Sequence, residues 1–148
     1  MTIIKYRINE DSKKNKIDYR KVKKAVRHFK SGSTTYTYKI KKGHVTPILL
    51  KQVASGKMFL HKFDCTKSSS SGNGMSTSSN HSEYYVCRDD KDVVTTFNAS
   101  EIFTKNSFRK KSQTVFKDCP VLVQKRKEKT WEMIDIPKII KYYNNECV

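Results

Sequence analysis

The chain has 148 residues, of which 36% are hydrophobic and 30% charged, and its formal net charge is +17. That length fits a single domain over residues 1–148, able to bury roughly 70% of the surface its unfolded form exposes. The totals point to a basic, soluble, globular protein and exclude a membrane-spanning helix, because no window holds the roughly 18 apolar residues required.

The N-terminus, MTIIKYRINEDSKKNK, lacks the apolar core of a signal peptide. Two readings follow: a cytoplasmic protein, or an exported one whose leader is not part of this chain. The basic charge is spread unevenly. Residues 1–30 carry 11 Lys/Arg against 3 Asp/Glu, residues 65–97 carry 3 against 4, and residues 98–148 carry 11 against 6. Such a surface either keeps the protein soluble or faces a polyanion: nucleic acid, anionic lipid or acidic polysaccharide.

Taken in chain order, TIIKYRI alternates Ile4, Tyr6 and Ile8 with Lys5 and Arg7, which predicts a strand. In KIDYRKVKKAVRHFKSG, Tyr19, Val22, Val26 and Phe29 fit helical spacing, with Asp18 as a start and Gly32 as a stop. Its Val, Ile and Tyr content suits strands equally, so residues 17–30 stay open between the two, with periodicity leaning to the helix. TTYTYKIKK reads as a strand, and Pro47 in VTPILLKQVASG suits a strand start. GKMFLHKFDC is the next strand, with Met58, Leu60 and Lys62 on one face and Phe59, His61 and Phe63 on the other. EYYVCRDD and DVVTTF follow, joined by a tight turn at Asp89–Asp90–Lys91.

Residues 66–82, rich in Ser, Gly, Asn and Thr, read as a long flexible hairpin loop, because they cannot bury enough to offset their ordering entropy. After Phe97 the spacing turns partly helical, with Asn98 or Ser100 as a cap. Asp118 with Pro120, and Asp135 with Pro137, each read as an N-cap followed by a first-turn proline. The order predicts an α+β fold: an antiparallel β-rich sheet or partly open barrel over residues 1–97, then a small C-terminal helical hairpin.

Four cysteines stand at 65, 87, 119 and 147, with no C-x-x-C and no finger-type Cys/His spacing. His61 and His81 flank the serine segment near Cys65 and Cys87, so a Cys2His2 cluster is one reading. Disulfides explain the pattern better. Cys65 and Cys87 would meet if their strands pair, closing 21 intervening residues for about 3 kcal/mol on the chain-entropy model. Cys119 and Cys147 would tie the helical hairpin together. Free buried thiols remain the alternative, and the default in a reducing cytosol.

Catalytic sets are missing. Cys119 sits beside Lys117 at a helix start, but the C-terminal segment has no histidine to serve it. Asp89, Asp90 and Asp92 form a turn cluster, and no Ser-His-Asp set, HExxH or GxSxG occurs. Tyr36, Tyr38, Tyr84 and Tyr85 interleave with Lys39, Lys41 and Lys42, the make-up of a base-stacking sheet. Alternating aromatics are equally ordinary core or cross-strand pairs, and no RNP1 pattern is present.

GKMFLHKF, the Gly/Ser-rich insertion, EYYVCR, FTKNSFRKKSQTVFKDCPVLVQK and DIPKIIKYYNNEC together resemble a group of uncharacterised secreted proteins of Bacteroidetes-type bacteria. The resemblance covers the C-terminal two-thirds, and only loosely the first 45 residues. Cys87 departs from it, standing where a charged residue is expected. The resemblance implies export to an oxidising envelope compartment, periplasmic or extracellular, and favours a Cys119–Cys147 bridge. It implies no activity. The expectation is therefore a non-enzymatic exported protein, with no cofactor or metal, whose basic surface binds anionic envelope polymers or lipid headgroups. The alternative is a nucleic-acid-binding module using Lys13, Lys14, Lys16, Arg20, Lys21, Lys23, Lys24 and Arg27 on phosphates.

Overall fold

A computed structural model describes residues 3–6, 11–18, 21–70, 76–98, 105–127 and 135–147. A two-stranded antiparallel sheet pairs β1 (Ile3–Tyr6) with β2 (Asn15–Asp18). The main sheet has six strands in sequence order: β3 (Lys24–Phe29), β4 (Gly32–Lys41), β5 (Pro47–Ala54), β6 (Met58–Ser70), β7 (Ser76–Arg88) and β8 (Val93–Asn98). All consecutive pairs are antiparallel. A parallel pairing of β4 with β8, at Ile40↔Val93 and Lys41↔Val94, curls β4 to β8 into a partial ring. Three helices follow: α1 (Lys105–Val115), α2 (Pro120–Lys127) and α3 (Ile136–Glu146).

The α+β order is as expected, and Pro47 does open a strand. One open choice is settled and one expectation changes. Residues 17–30, open between helix and strand, contribute to the strands β2 and β3, with 19–20 outside the described residues, so β-branched content prevailed over the periodicity. The predicted loop over 66–82 is mostly ladder: β6 and β7 pair continuously from Met58↔Arg88 to Ser70↔Ser76. That ladder satisfies the backbone without burying side chains. Cross-strand polar bonds reinforce it, with Thr66 Oγ1 donating to Asn80 Oδ1 at 2.7 Å and Ser82 Oγ to Asp64 Oδ1 at 2.6 Å.

Alternation sorts the hairpin's side chains onto two faces. Met58, Leu60 and Val86 face the helices, where they pack with Phe97, Phe116, Cys119, Leu122 and the α3 stripe Ile136, Ile139, Ile140 and Tyr143. That stripe has the i, i+3, i+4, i+7 spacing of one helix face. Each fully buried Ile is worth about 1.5–3 kcal/mol of transfer free energy. The opposite face packs Tyr85, Cys87 and partly buried Phe59 with Leu50, Val94 and Ile48 inside the ring.

Side-chain hydrogen bonds fix α3 on the sheet. Asn144 accepts from the Met58 N–H at 2.9 Å and donates to the Met58 carbonyl at 2.9 Å. Gly56 (φ +151°) makes this approach feasible, since a Cβ there would sit 2.6 Å from the Asn144 side chain. Asp118 and Asp135 do not act as side-chain caps. Asp135 occupies the N-cap of α3 without a capping bond and pairs with Lys138 at 3.4 Å. Asp118 turns to the sheet and takes a bidentate contact from Arg88, with Nη1 to Oδ2 at 2.7 Å and Nη2 to Oδ1 at 2.9 Å. Tyr143 Oη donates to Asp118 Oδ2 at 2.7 Å, and Arg88 Nη2 also donates to the Val115 carbonyl at 2.8 Å.

Candidate functional site

The four cysteines divide. Cys119, before α2, and Cys147, after α3, form a disulfide with a sulfur–sulfur distance of 2.00 Å and a Cα separation of 5.4 Å. It closes a span of 28 residues and ties the start of α2 to the end of α3. A structural disulfide points to an oxidising, non-cytoplasmic environment. No helix among the described residues is long and apolar enough to cross a membrane.

Cys65 and Cys87 form no disulfide. The expected bridge between them fails on register. Cys65 sits opposite His81, whereas Cys87 sits opposite Phe59, six residues earlier on β6. At ~3.3 Å per residue the two thiols are about 20 Å apart along the hairpin. A single Cys2His2 cluster is excluded for the same reason. Each of these two thiols instead has its own histidine.

The inner pair lies inside the ring. His61 is fully buried, its Nδ1 is 3.3 Å from Thr37 Oγ1, and its Nε2 is 3.9 Å from Cys87 Sγ. Burial, aided by the Lys39 charge, lowers the His61 pKa from 6.5 to about 4, so the ring is neutral at physiological pH. Burial likewise raises the pKa of the Cys87 thiol, which keeps it protonated and inert. Lys39, only 3% exposed, points along the same face. Its ammonium is satisfied by Asp90 Oδ1 at 2.7 Å and by the carbonyls of Asp90 and Lys91 at 3.0 and 2.9 Å. Asp89 and Asp90 both have φ of 53°, and this left-handed turn aims the carbonyls at the cation.

The outer pair stands further along the same face, towards the end of the hairpin. Cys65 Sγ lies 2.8 Å from His81 Nε2. Glu83 is two residues from His81 on β7 and shares its face, and one atom from each of Cys65, His81 and Glu83 lies within 4.8 Å of the others. Tyr85 Oη donates a short hydrogen bond to Glu83 Oε2. Burial and this bond raise the Tyr85 pKa, so its hydroxyl stays a donor. The motif was legible as H-x-E-x-Y on one strand facing a cysteine on its neighbour. The loop expected over residues 66–82 takes in His81 and gives it no face, which hides the grouping.

The cations proposed for polyanion contact fall on two sheets. Lys13, Lys14 and Lys16 belong to the approach to β2 and to β2 itself, Lys21 and Lys23 to the connection, and Lys24 and Arg27 to the free edge strand β3. All seven are exposed, and Arg20 lies outside the described residues. None of the seven has a carboxylate partner among the described residues. Arg27 stacks 4.8 Å from the centre of the Phe29 ring. A separate groove of about 540 Å³ opens between Ser33, Thr35, Lys51, Ser55, Lys62 and Tyr84, and its Lys62 is held by Asp64 at 2.8 Å.

The tyrosine and lysine interleaving does not form one platform. Tyr85 and Lys39 are buried in the ring, while Tyr36, Tyr38 and Tyr84 alternate onto the other face. Comparison with protein families, with curated proteins and with solved structures finds no match to this chain.

Proposed function

We propose that this is an exported, non-enzymatic, β-rich binding protein that holds anionic polymers through the exposed cations of its N-terminal third. Periplasmic or extracellular location fits the Cys119–Cys147 bridge, because such bonds persist where no thiol pool reduces them. The observation that carries the binding role is the set of seven exposed Lys and Arg side chains from Lys13 to Arg27. A purely protective role for Lys24 and Arg27, as charges that keep edge strand β3 from pairing with another chain, explains two of them and not the other five. Exposed ammonium groups bind polyanions by releasing counterions, with affinity that falls steeply as salt rises.

Nucleic acid would use the same cations, with Tyr36, Tyr38 and Tyr84 on a shared face as stacking candidates and Tyr85 buried out of reach. An anionic polysaccharide or a headgroup surface needs only the charge. The test is retention of the full chain on a sulfated polysaccharide column, with phosphatidylglycerol vesicles and a generic DNA duplex as parallel probes. Binding should fall steeply between ~50 and ~200 mM salt. Replacing Lys13, Lys14, Lys16, Lys21, Lys23 and Lys24 by Ser should reduce low-salt affinity by at least about tenfold, since each lost phosphate-type contact removes a counterion-release term. Unchanged affinity in that variant, or no binding to any probe at low salt, overturns the reading. A preference for DNA over the other two would move it to the nucleic-acid alternative.

A further inference from the structure

The geometry points to a second, independent site: Cys65, His81 and Glu83 form a three-ligand centre for a Zn²⁺-class transition metal ion on the outer part of the β6–β7 hairpin. Three observations converge on it. The donor set is one thiolate, one imidazole and one carboxylate, which suits Zn²⁺ or Co²⁺ and is too soft for Ca²⁺ or Mg²⁺. The three donor atoms lie within 4.8 Å of one another, and register alone places them there, through the Cys65↔His81 pair and the i, i+2 step to Glu83. Finally, Tyr85 Oη holds the Glu83 carboxylate from behind, the kind of outer contact that orients metal-binding carboxylates.

Without an ion, the Cys65 thiol and the His81 ring sit at hydrogen-bonding distance, 2.8 Å. Around a tetrahedral zinc, with Zn–N near 2.1 Å and Zn–S near 2.3 Å, sulfur and nitrogen stand about 3.6 Å apart. The two side chains must therefore part by about 0.8 Å, a small χ adjustment for partly exposed residues on neighbouring strands. Binding exchanges the sulfur–hydrogen bond for a sulfur–metal bond and releases the proton to solvent, so affinity rises with pH. A fourth position is left for water or an outside ligand.

Local charge also favours this place. Residues 65–97 carry 3 Lys/Arg against 4 Asp/Glu, whereas the chain as a whole is at +17. The inner set, His61, Cys87 and Asp90, is the obvious competitor, with donor atoms equally close. Its Asp90 is already engaged by the buried Lys39 ammonium at 2.7 Å, and a divalent ion there would face that charge.

The test is Co²⁺ titration of the full, disulfide-intact protein under argon, followed by the sulfur-to-cobalt charge-transfer absorption. One equivalent should produce the band. C65S should abolish it, and C87S should leave it unchanged. Y85F should weaken binding by about tenfold, as loss of an outer-shell partner does. In parallel, Zn²⁺ should protect Cys65 of the unaltered protein from alkylation, mapped by peptide mass, which keeps the question answerable if C65S fails to fold. No band and no protection, or a band that survives C65S and disappears in C87S, overturns the assignment.

Discussion

On one face of the β6–β7 hairpin Met58, Leu60 and Val86 lie beneath the helices. On the other, Phe59, His61 and Cys87 look into the ring beside Thr37 and Lys39. The helix side is apolar and closed by a covalent bond between Cys119 and Cys147. The ring side mixes apolar groups with a neutral imidazole, a thiol and an ammonium, all held by hydrogen bonds. One pair of strands thus supports two interiors that answer to different variables. Redox state acts on the first, and mild acid on the second. Each can be perturbed with the other as its control.

The largest expected effect is on the helix side. Replacing Cys119 and Cys147 together by Ser removes a cross-link over 28 residues, and the chain-entropy model puts the loss at about 3.5 kcal/mol. Urea unfolding should record it as a lower midpoint. Amide hydrogen exchange should quicken in α2 and α3 while β4 and β5 keep their protection, because no covalent tie reaches them. Equal loosening of both sides would dissolve the distinction and make the molecule one cooperative unit.

Next comes the ring side. His61 has a folded pKa of about 4 against an unfolded value near 6.5. The unfolded chain therefore binds the extra proton first as pH falls. Stability is unaffected above about pH 6.5, declines between 6.5 and 4, and levels off below that. The difference corresponds to a loss on the order of 3 kcal/mol for this fully buried group. Lys39, Asp90 and Cys87 are the charged or titratable groups that act on it, and the Lys39 ammonium deepens the effect. In His61→Gln the decline over that window should flatten, as thermal unfolding at a series of pH values will show. A slope unchanged by the substitution would assign the acid sensitivity elsewhere.

How much of this was legible depended on whether alternation or composition carried the signal. The two faces of β6 were readable from Met58 to Phe63, since period-two spacing is all a half-buried strand requires. Pro47 marked the start of β5 because a proline cannot donate to the ladder. The Cys119–Cys147 bridge was one open reading of the helical hairpin, favoured by the resemblance, and the structure forms it. The serine segment was not, because its composition argued against burial, and a ladder needs backbone pairing rather than burial. That one misreading hid the register, and with it both the separation of Cys65 from Cys87 and the Cys65–His81–Glu83 grouping. The buried role of Lys39 was not legible from its interleaving with the tyrosines. Its Asp90 partner and two carbonyls come from a turn 51 and 52 residues further on, and no local pattern announces such a match.

The smallest expected effect sharpens the comparison, since it gives the helix side an acid response of its own at a different pH. Asp118 is tied by the Arg88 guanidinium and, secondarily, by Tyr143, and these hold its carboxyl well below the usual carboxylate range. A depressed folded pKa supplies stability that is present above the unfolded value, about 3.9, and is lost as pH drops towards the folded one. The pair is about a third exposed on each side, 34% and 36%, so solvent screens it. Its bidentate geometry and the Tyr143 hydroxyl lift it above an ordinary surface pair, to about 1–2 kcal/mol. Asp118→Asn should cost that amount at neutral pH, and the cost should shrink progressively as pH falls below about 3.9 towards the depressed folded value, because the native pair's contribution is lost over that interval. The two acid responses therefore occupy separate windows, His61 from 6.5 to 4 and Asp118 beneath it. A double variant, His61→Gln with Asp118→Asn, should lose both steps additively, because the two groups lie on opposite sides of the hairpin and share no partner. Non-additive loss in pH-resolved unfolding would mean that the hairpin couples the two interiors it divides.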